Sequence, residues 1–348
     1  MSDNLSDEEQ QQQMKEISIC ADVWLEVFAL VSPRELGHLI ALISDRFDVL
    51  VDEHFKLRKW SLDSLQIRRA IGGNGAEIVK RSGEQLPIPQ GPLPNKFIGF
   101  KHIEIGYIDQ TVIEFLQRIR RLFDSCGTNV GIYTFDNQSR SWEIICQKIW
   151  PLVNDNICRF ASFRLDHLRQ FSPAILRNCP NLRSLSCYGL FPELPAEDNA
   201  GASSRQAVAK WLLTAREDGL PKTLCCCVYS GGMDELKRAF VNASGPVNFI
   251  VSFETHGEEE DDPVPFELKN NWTGERLTLR QMVGYWLLVR CPIAREETKW
   301  AKWEEEGIQW PWIWRPRQWN CISIEFKGSD IGDGMLDAND EGPSEPKK

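Results

Sequence analysis

Apolar and polar positions along the chain repeat with two different periods, and these periods predict its secondary structure. Between residues 19 and 55, apolar residues recur every three or four positions, which is typical of helices. From residue 97 to 246, short apolar runs of strand type alternate with helical patterns, and strand patterns predominate thereafter. The chain is therefore predicted to have a helical start, a middle of alternating strands and helices, and a mixed α+β end.

The helical start divides into three short helices. In the first, "DVWLEVFALV", four apolar residues share one stripe: Val23, Val27, Leu30 and Val31. Three more lie outside that stripe: Trp24, Leu25 and Phe28. The following "SPRE" supplies an N-cap at Ser32, a first helical residue at Pro33 and a capping-box acid at Glu35. The second helix carries Leu36, Leu39, Ile40 and Ile43, and the third, which opens at Ser44, carries Phe47, Leu50, Val51 and Phe55.

The first helix is apolar around most of its circumference. A unit of three short helices can hide about one apolar face of each helix, and so small a unit is only marginally stable alone. Two interpretations of the surplus stay open at this point. It could dock onto another protein, or the rest of the chain could cover it.

The strand patterns of residues 97–246 share one spacing of apolar residues, LxxLxLxxL. It is clearest in "FKHIEIGYI", "FASFRLDHL" and "LRSLSCYGL", and looser in "VGIYTF" and "LCCCVY". Helical patterns separate these strands at 111–123, 141–153, 172–179, 205–215 and 233–241. Such alternation indicates parallel strands. Two architectures fit: an irregular βα solenoid similar to leucine-rich repeats, which "ILRNCPNLRSLSCY" resembles, and a twisted open α/β sheet.

The remaining segments frame this repeat region. Residues 247–327 contain five strand patterns, a turn at "NNWTGE" and the helical pattern "EETKWAKWEEE", so we predict an α+β region that caps the repeats. The Gly- and Pro-rich segment 63–96 is predicted to be a linker. Residues 1–17 and 328–348 are acidic and poor in apolar residues, and we predict flexible tails there.

Composition and charge narrow the class of protein. With 42% hydrophobic and 26% charged residues, the chain has the composition of a globular protein. The net charge of −10 comes from residues 1–16, 258–262 and 328–348, which together carry −13, so the rest of the chain is near +3. Nucleic acids require a dense basic patch, which is missing. We therefore expect no nucleic-acid partner.

The compartment follows from the termini and the apolar runs. No apolar run reaches the ~20 residues that span a membrane, so no membrane partner is expected. The acidic, polar amino terminus is unlike a signal peptide. We expect the protein to be intracellular, in the cytoplasm, the nucleus or both, where cysteines stay reduced.

Residues with catalytic chemistry do not form a recognisable motif. The sequence lacks a P-loop, a GxGxxG after a strand, HExxH and GxSxG, and its five histidines lack metal-ligand spacing. Among eleven cysteines, Cys225, Cys226 and Cys227 are adjacent, but alternate residues of a strand point to opposite faces, so three thiolates cannot converge on one ion. We predict buried thiols, no catalytic, cofactor-binding or metal-binding residues, and a protein that is not an enzyme.

Six tryptophans fall between residues 300 and 319. We expect Trp300 and Trp303 to cover the strands. The others, together with two arginines, either hold a Pro-containing loop in place or form a recognition surface with cation–π character. The residues of that possible recognition surface are Trp310, Trp312, Trp314, Arg315 and Arg317.

The amino-terminal segment "ICADVWLEVFALVSPRELGHLIALISDRFDVLVDEHF" resembles an F-box. Val27-Phe28 stands at the family's apolar Ile-Phe pair, and Val31 to Leu36 stands at its Leu-Ser-x-x-x-Leu block. The family's early Leu-Pro pair falls on Ile19-Cys20, so the proline is missing. Further along, "NNWTGERLTLR", "WLLVRCPI" and "DIGDGMLDAND" are similar to a large family of nematode F-box proteins.

This resemblance implies a function. An F-box at 18–62 would bind a Skp-type adaptor, and through it a cullin, while the repeat and carboxyl-terminal regions would hold an unknown target protein. The adaptor-binding residues would be Leu25, Val27, Phe28, Leu30, Pro33, Leu36, Leu39, Ile43 and Phe47. The protein would then be a non-catalytic substrate receptor in ubiquitin-dependent degradation, contributing proximity. The alternative is a scaffold without a ligase role, in which the amino-terminal helices pack on the chain's own repeats.

Overall fold

The computed structural model describes residues 19–31, 36–57, 60–72, 75–93, 95, 97–123, 127–229, 231–254, 263–309 and 320–335. The chain divides into two compact units, Met1–Trp60 and Ser61–Lys348. The predicted tail 1–17 and the start signal at Ser32 to Glu35 lie outside the described residues.

The amino-terminal unit contains helix α1 (Ala21–Leu30), a π-helical turn (Leu36–Ile40) and helix α2 (Asp45–Leu57). Its small core consists of Phe28, Leu36 and Val51, each at most 2% exposed. Partly buried residues surround this core: Trp24, Leu25, Val31, Ile40, Ala41, Phe47 and Leu50. The helical character predicted for this segment is therefore confirmed, and one face of each element supplies the core.

The second unit is built on one sheet of thirteen strands. Their bounds are β1 Trp60–Arg69, β2 Ala76–Lys80, β3 Gln85–Pro87, β4 Phe97–Ile105, β5 Thr128–Ile132, β6 Ile157–Ser162, β7 Ser184–Cys187, β8 Lys222–Val228, β9 Phe249–Glu254, β10 Phe266–Asn270, β11 Glu275–Met282, β12 Tyr285–Pro292 and β13 Cys321–Ile324. The spatial order is β10-β11-β12-β9-β8-β7-β6-β5-β13-β4-β1-β2-β3.

The centre of the sheet is parallel and its ends are antiparallel. Strands β5 to β9 lie side by side in chain order and pair in parallel. Strands β9 to β12 pair in antiparallel fashion, with β10 and β11 joined by the predicted "NNWTGE" turn. At the other end, β2 pairs with β1 and β3 in antiparallel fashion. A mixed α+β fold with a large sheet that has a parallel centre is thus confirmed.

Helices connect the parallel strands. They are α3 (Gln110–Phe123), α4 (Ser139–Ile144), which continues through a π-helical turn (Ile145–Ile149) into α5 (Trp150–Val153), then α6 (Leu165–Phe171), α7 (Ser204–Leu212) and α8 (Met233–Val241). The prediction of a helix at 172–179 is wrong. The helix of this region is α6, which ends at Phe171, and residues 173–178 form turns. Leu165 and Leu168, expected to extend a strand, instead point inward from this helix, both 0% exposed.

One continuous apolar core lies between these helices and one face of the sheet. Branched side chains from successive strands meet there in register: Ile103 and Ile105 of β4 flank Ile322 and Ile324 of β13, which in turn flank Val130 and Ile132 of β5. β-branched residues suit such a pleated, fully buried surface, because their side chains pack against cross-strand neighbours.

Helix α9 (Glu297–Gln309) covers part of the opposite face of the sheet. Trp300, which is 4% exposed, packs with Ile250 and with three residues of β12, Leu287, Val289 and Cys291. Trp303 packs against the same cluster, at 5.3 Å between ring centroids from Trp300. These two tryptophans cover strands, as predicted.

Three regions differ from the sequence-based boundaries. The predicted linker 63–96 contains most of β1 together with β2 and β3, because its glycines fall in the turns between strands, with positive φ at Gly72 and Gly83. The predicted tail 328–348 begins with ordered residues, since Ile331 bridges to Ile108 and Met335 is 5% exposed. The last strand, expected within a carboxyl-terminal cap, instead lies between β4 and β5.

None of the helices in the described part of the chain is both long enough and apolar enough to cross a membrane.

Candidate functional site

Helix α1 carries two different apolar faces. Successive residues turn by about 100°, so residues at i, i+4 and i+7 share a face. Trp24, Phe28 and Val31 form the inner face, where the Trp24 and Phe47 rings lie 4.7 Å apart, edge to face. Three of the four residues of the predicted stripe, Val23, Val27 and Leu30, form a separate face. The fourth, Val31, is half-buried against the core, so its assignment to the stripe is corrected. The interior of the unit is built from the apolar residues beside the remaining stripe.

The stripe of α1 is exposed. Leu30 is 89% exposed, and Val23 and Val27 are 49% and 40% exposed. In an apolar helix this is unfavourable in water, because each fully exposed Val or Leu side chain forgoes about 1.5–3 kcal/mol of burial free energy. Exposed apolar patches of this kind mark interaction surfaces more often than scattered single residues do.

A second exposed apolar group lies at the π-helical turn and just after it. Leu39, Leu42 and Ile43 are 64%, 80% and 63% exposed, although Leu36 and Ile40 of the same segment face the core. The backbone of the segment is hydrogen-bonded, with the Ala41 N–H donating to the Leu36 carbonyl at 2.9 Å. An ordered backbone thus presents these side chains to solvent.

The structure divides the residues predicted to bind an adaptor into three groups. Four are exposed and available for contact: Val27, Leu30, Leu39 and Ile43. Leu25 and Phe47 are half-buried. Phe28 and Leu36, at 1% and 0% exposed, are interior residues, so their prediction as contact residues is corrected. They belong to the core of the unit instead. Helical periodicity fits both a core residue and a contact residue, so it could not distinguish these two roles. Pro33 lies outside the described residues.

Two residues of these two exposed groups were missing from that predicted set. Val23 belongs to the stripe by its spacing to Val27, and Leu42 follows Leu39 by three positions. Helical spacing alone was the signal that could have included both.

The Trp-rich segment, predicted as a possible recognition surface, lies outside the described residues. This applies to Trp310, Trp312, Trp314, Arg315 and Arg317.

Two cysteines of β8, Cys225 and Cys226, behave as buried apolar side chains. Cys225 and Cys226 are 5% and 0% exposed, and the pairing of β8 with β9 shifts register there. Burial raises the pKa of the Cys226 thiol well above its usual value, with further raising from Cys187 and Cys225. A raised pKa keeps a thiol protonated and unreactive at neutral pH. Among the described residues, no cluster of three or more His, Cys, Asp or Glu side chains could hold a metal.

A groove of about 660 Å³ lies between α7 and the turns before β7. Its buried cation, Lys222, donates hydrogen bonds to the carbonyl oxygens of Trp211 and, at 2.7 Å, of Thr214. Burial, together with a smaller contribution from the nearby Arg216, lowers the pKa of Lys222 to about 8. The amine therefore adds hydrogen bonds to carbonyls at and just beyond the end of α7, which is a structural role.

Comparisons of the chain with protein-family models, curated proteins and solved structures found no match. The functional argument therefore rests on the chain's own residues.

Proposed function

We propose that the protein is a non-catalytic substrate-recognition subunit of a Skp–cullin–F-box ubiquitin ligase. In this proposal the amino-terminal unit is an F-box that binds a Skp-type adaptor, and the sheet unit holds a target protein. Transfer of ubiquitin would belong to enzymes bound to the cullin, and the protein would be intracellular.

The observation that carries the proposal is the exposed stripe of α1. Val23, Val27 and Leu30 lie on a helix whose other apolar face already fills the core of its unit. Val27 also stands at the apolar pair of the F-box resemblance. A helix that presents a regular apolar stripe to a groove on another protein is a common mode of recognition, in which a few anchors supply most of the affinity.

The sheet unit fits the second half of the proposal. Strands β5 to β9 follow each other in space as they do in the chain, with connecting helices in one shared core. We propose that this part is an irregular solenoid similar to leucine-rich repeats, with β9 to β12 as its antiparallel end. Such arrays provide broad surfaces for protein partners.

The test is capture of a purified Skp-type adaptor by the full chain. The double variant Val27→Asp/Leu30→Asp should lose capture, because two carboxylates would have to be desolvated at an apolar interface. Ala29→Asp is the control, since it places one such carboxylate on the same helix at an exposed position outside the stripe. Undiminished capture by the double variant would refute the assignment.

Truncation separates this proposal from the scaffold alternative. If the amino-terminal helices serve only to cover the chain's own repeats, removal of residues 1–60 should unfold the sheet unit. Our proposal instead expects residues 61–348 to melt cooperatively near the temperature of the full chain, because the division into compact units falls at Trp60 and Ser61.

A further inference from the structure

Strand β10 forms one edge of the sheet. In the part of the chain that the structure describes, β10 pairs with β11 alone. Helix α8 lies along the core face of β10, with the Lys237 amine 4.6 Å from the centre of the Phe266 ring. At the other end of the strand, the Asn270 side chain donates a hydrogen bond to the Phe240 carbonyl at 2.9 Å. The core face is therefore covered by α8, and the backbone edge of β10 is the surface left for a partner.

The hydrogen bonds of the neighbouring strands indicate which backbone groups of β10 face this edge. In antiparallel strands, the backbone groups of successive residues point alternately to one side and to the other. The Gly274 carbonyl, just before β11, accepts a hydrogen bond from the Ile293 N–H on the β12 side. Applied along the register of β10 and β11, this alternation directs the N–H and carbonyl groups of Glu267 and Lys269 to the open edge.

The two residues directed to the edge carry opposite charges. Glu267 and Lys269 are both exposed and form an ion pair at 3.6 Å. Charged side chains at a sheet edge disfavour most added strands, because like charges placed opposite each other are destabilising. A second copy of β10 is an exception. When two copies pair in antiparallel fashion about Leu268, positions equally far before and after Leu268 lie opposite each other, so Glu267 of each copy faces Lys269 of the other.

The same register brings together two strongly exposed apolar residues that flank β10. Val264, four positions before Leu268, is 77% exposed, and Trp272, four positions after it, is 85% exposed. In the pairing about Leu268, Val264 of each copy lies close to Trp272 of the other. The turn that carries Trp272 is held in place, because the Asn270 side chain accepts from the Trp272 N–H at 3.0 Å and donates to the Ala243 carbonyl at 3.2 Å. Tryptophan in an ordered setting is a frequent anchor of protein interfaces.

We propose that β10 is a self-association surface, through which two copies of the protein form a symmetric dimer with one continuous sheet. Addition of a strand to an open edge is a common mode of recognition, in which backbone hydrogen bonds give affinity and side chains give specificity. A register centred on Glu267 or on Lys269 would bring like charges together, so the charges select the pairing about Leu268. At the opposite edge of the sheet, β3 has only three residues and ends in Pro87, which has no N–H to donate.

The experiment measures self-association of the full chain by sedimentation equilibrium at low ionic strength, at up to about 100 μM protein. Wild type should form a dimer whose population rises with concentration. Glu267→Lys makes both edge charges positive and Lys269→Glu makes both negative, so each variant should raise the dimer dissociation constant by about tenfold or more. An equimolar mixture of the two variants should associate as tightly as wild type, because a positive strand then meets a negative one. The double variant Glu267→Lys/Lys269→Glu, which exchanges the charges, should also dimerise.

The apolar contact is tested with a matched control. Val264→Asp should weaken the dimer by about tenfold or more, since it places a carboxylate close to Trp272 of the other copy. Ile71→Asp makes a similar change at a 74% exposed residue of the β1–β2 turn, toward the opposite edge of the sheet, and should leave dimerisation unchanged. The substituted residues are all exposed, so thermal melting should report an unchanged fold for every variant.

Several results would overturn the proposal. They are a monomer at every concentration, single charge variants that dimerise as tightly as wild type, and a mixture of these variants that associates no better than each alone. A dimer that is lost in Val27→Asp/Leu30→Asp but kept in the charge variants would assign self-association to the amino-terminal helices instead. The inference does not depend on adaptor binding, because it concerns residues of the sheet unit alone. Adaptor capture should be unchanged by the β10 variants, so failure of one proposal is distinguishable from failure of the other.

Discussion

The Asp substitutions in the stripe of α1 separate a binding surface from a structural core. Val27 and Leu30 are exposed, so Val27→Asp/Leu30→Asp should leave the amino-terminal unit folded while it removes an apolar contact surface. Phe28, one residue from Val27, points into the core and is 1% exposed. A substitution at Phe28 would abolish binding through unfolding, and a test that includes it would not distinguish the two roles.

The magnitude follows from the exposed fractions. Complete burial of a Val or Leu side chain stabilises a complex by about 1.5–3 kcal/mol. Scaled by the exposed 40% of Val27 and 89% of Leu30, the pair forgoes about 2–4 kcal/mol if an adaptor covers it fully. Since each 1.4 kcal/mol changes a dissociation constant about tenfold, affinity should fall about 30-fold or more. Desolvation of the two carboxylates adds to this loss.

The assay is titration of a purified Skp-type adaptor against full-length variants, with circular dichroism as the test of folding. Ala29→Asp shares the small helix-propensity and dipole costs of an Asp near the end of α1, about 1 kcal/mol, but lies outside the stripe. It should bind within about threefold of wild type, a difference of about 0.7 kcal/mol. The reasoning is refuted if the stripe variant and the Ala29 control bind the adaptor equally well.

Three other outcomes are expected. Phe28→Ala should cost about 3–5 kcal/mol and abolish hydrogen-exchange protection in the amino-terminal unit while β4 to β8 stay protected; retained protection would contradict its core role. Lys222 has a pKa near 8 in the folded chain, against an ordinary value of 10.5. Between pH 8 and pH 10.5, the Lys222 amine is therefore protonated in the unfolded chain but mostly neutral in the folded chain. Wild type should therefore gain up to about 3 kcal/mol over Lys222→Met as pH rises from 8 to 10.5 in denaturant unfolding, and a falling difference would reverse the assigned sign. A fragment 61–348 should melt at a higher temperature than 97–348, because the shorter fragment lacks β1, the neighbour of β4; equal melting temperatures would exclude a role for β1 to β3 in stability.

Local pattern was sufficient to predict where helices occur in the amino-terminal unit, but not which apolar residues face inward. The stripe of Val23, Val27 and Leu30 and the inner face of Trp24, Phe28 and Val31 have the same i, i+4, i+7 spacing. The choice between them depends on partners: the large rings of Trp24 and Phe28 lie 6.0 Å apart and pack with Phe47 and Val51 of α2. Periodicity carries no information about such packing between helices.

Strand patterns in the sheet unit were predicted well where their ends carry turn residues, and poorly where glycine and proline dominate. The segment 63–96 was assigned as a linker because those residues usually break regular structure. Here the strands are short and lie at the sheet's edge, where β3 has only its neighbour β2 to pair with, so its Pro87 disrupts no central ladder. Ile67 and Ile78, both at most 3% exposed, are the apolar residues that hold this edge to the core.

The position of β13 explains why the predicted boundary at residue 246, between the repeat region and the carboxyl-terminal region, does not divide the sheet. A strand of four residues, Cys321–Ile324, is readable from its alternation, but its neighbours are set by pairing with residues far away in the chain. The Phe100 N–H donates to the Asn320 side-chain oxygen at 3.2 Å, across 220 positions. Because β4 and β5 each pair with β13 and lie about 10 Å apart, they cannot bond to each other directly. The sheet is therefore continuous only when the last strand is in place, so the repeat region and the carboxyl-terminal region belong to one compact unit.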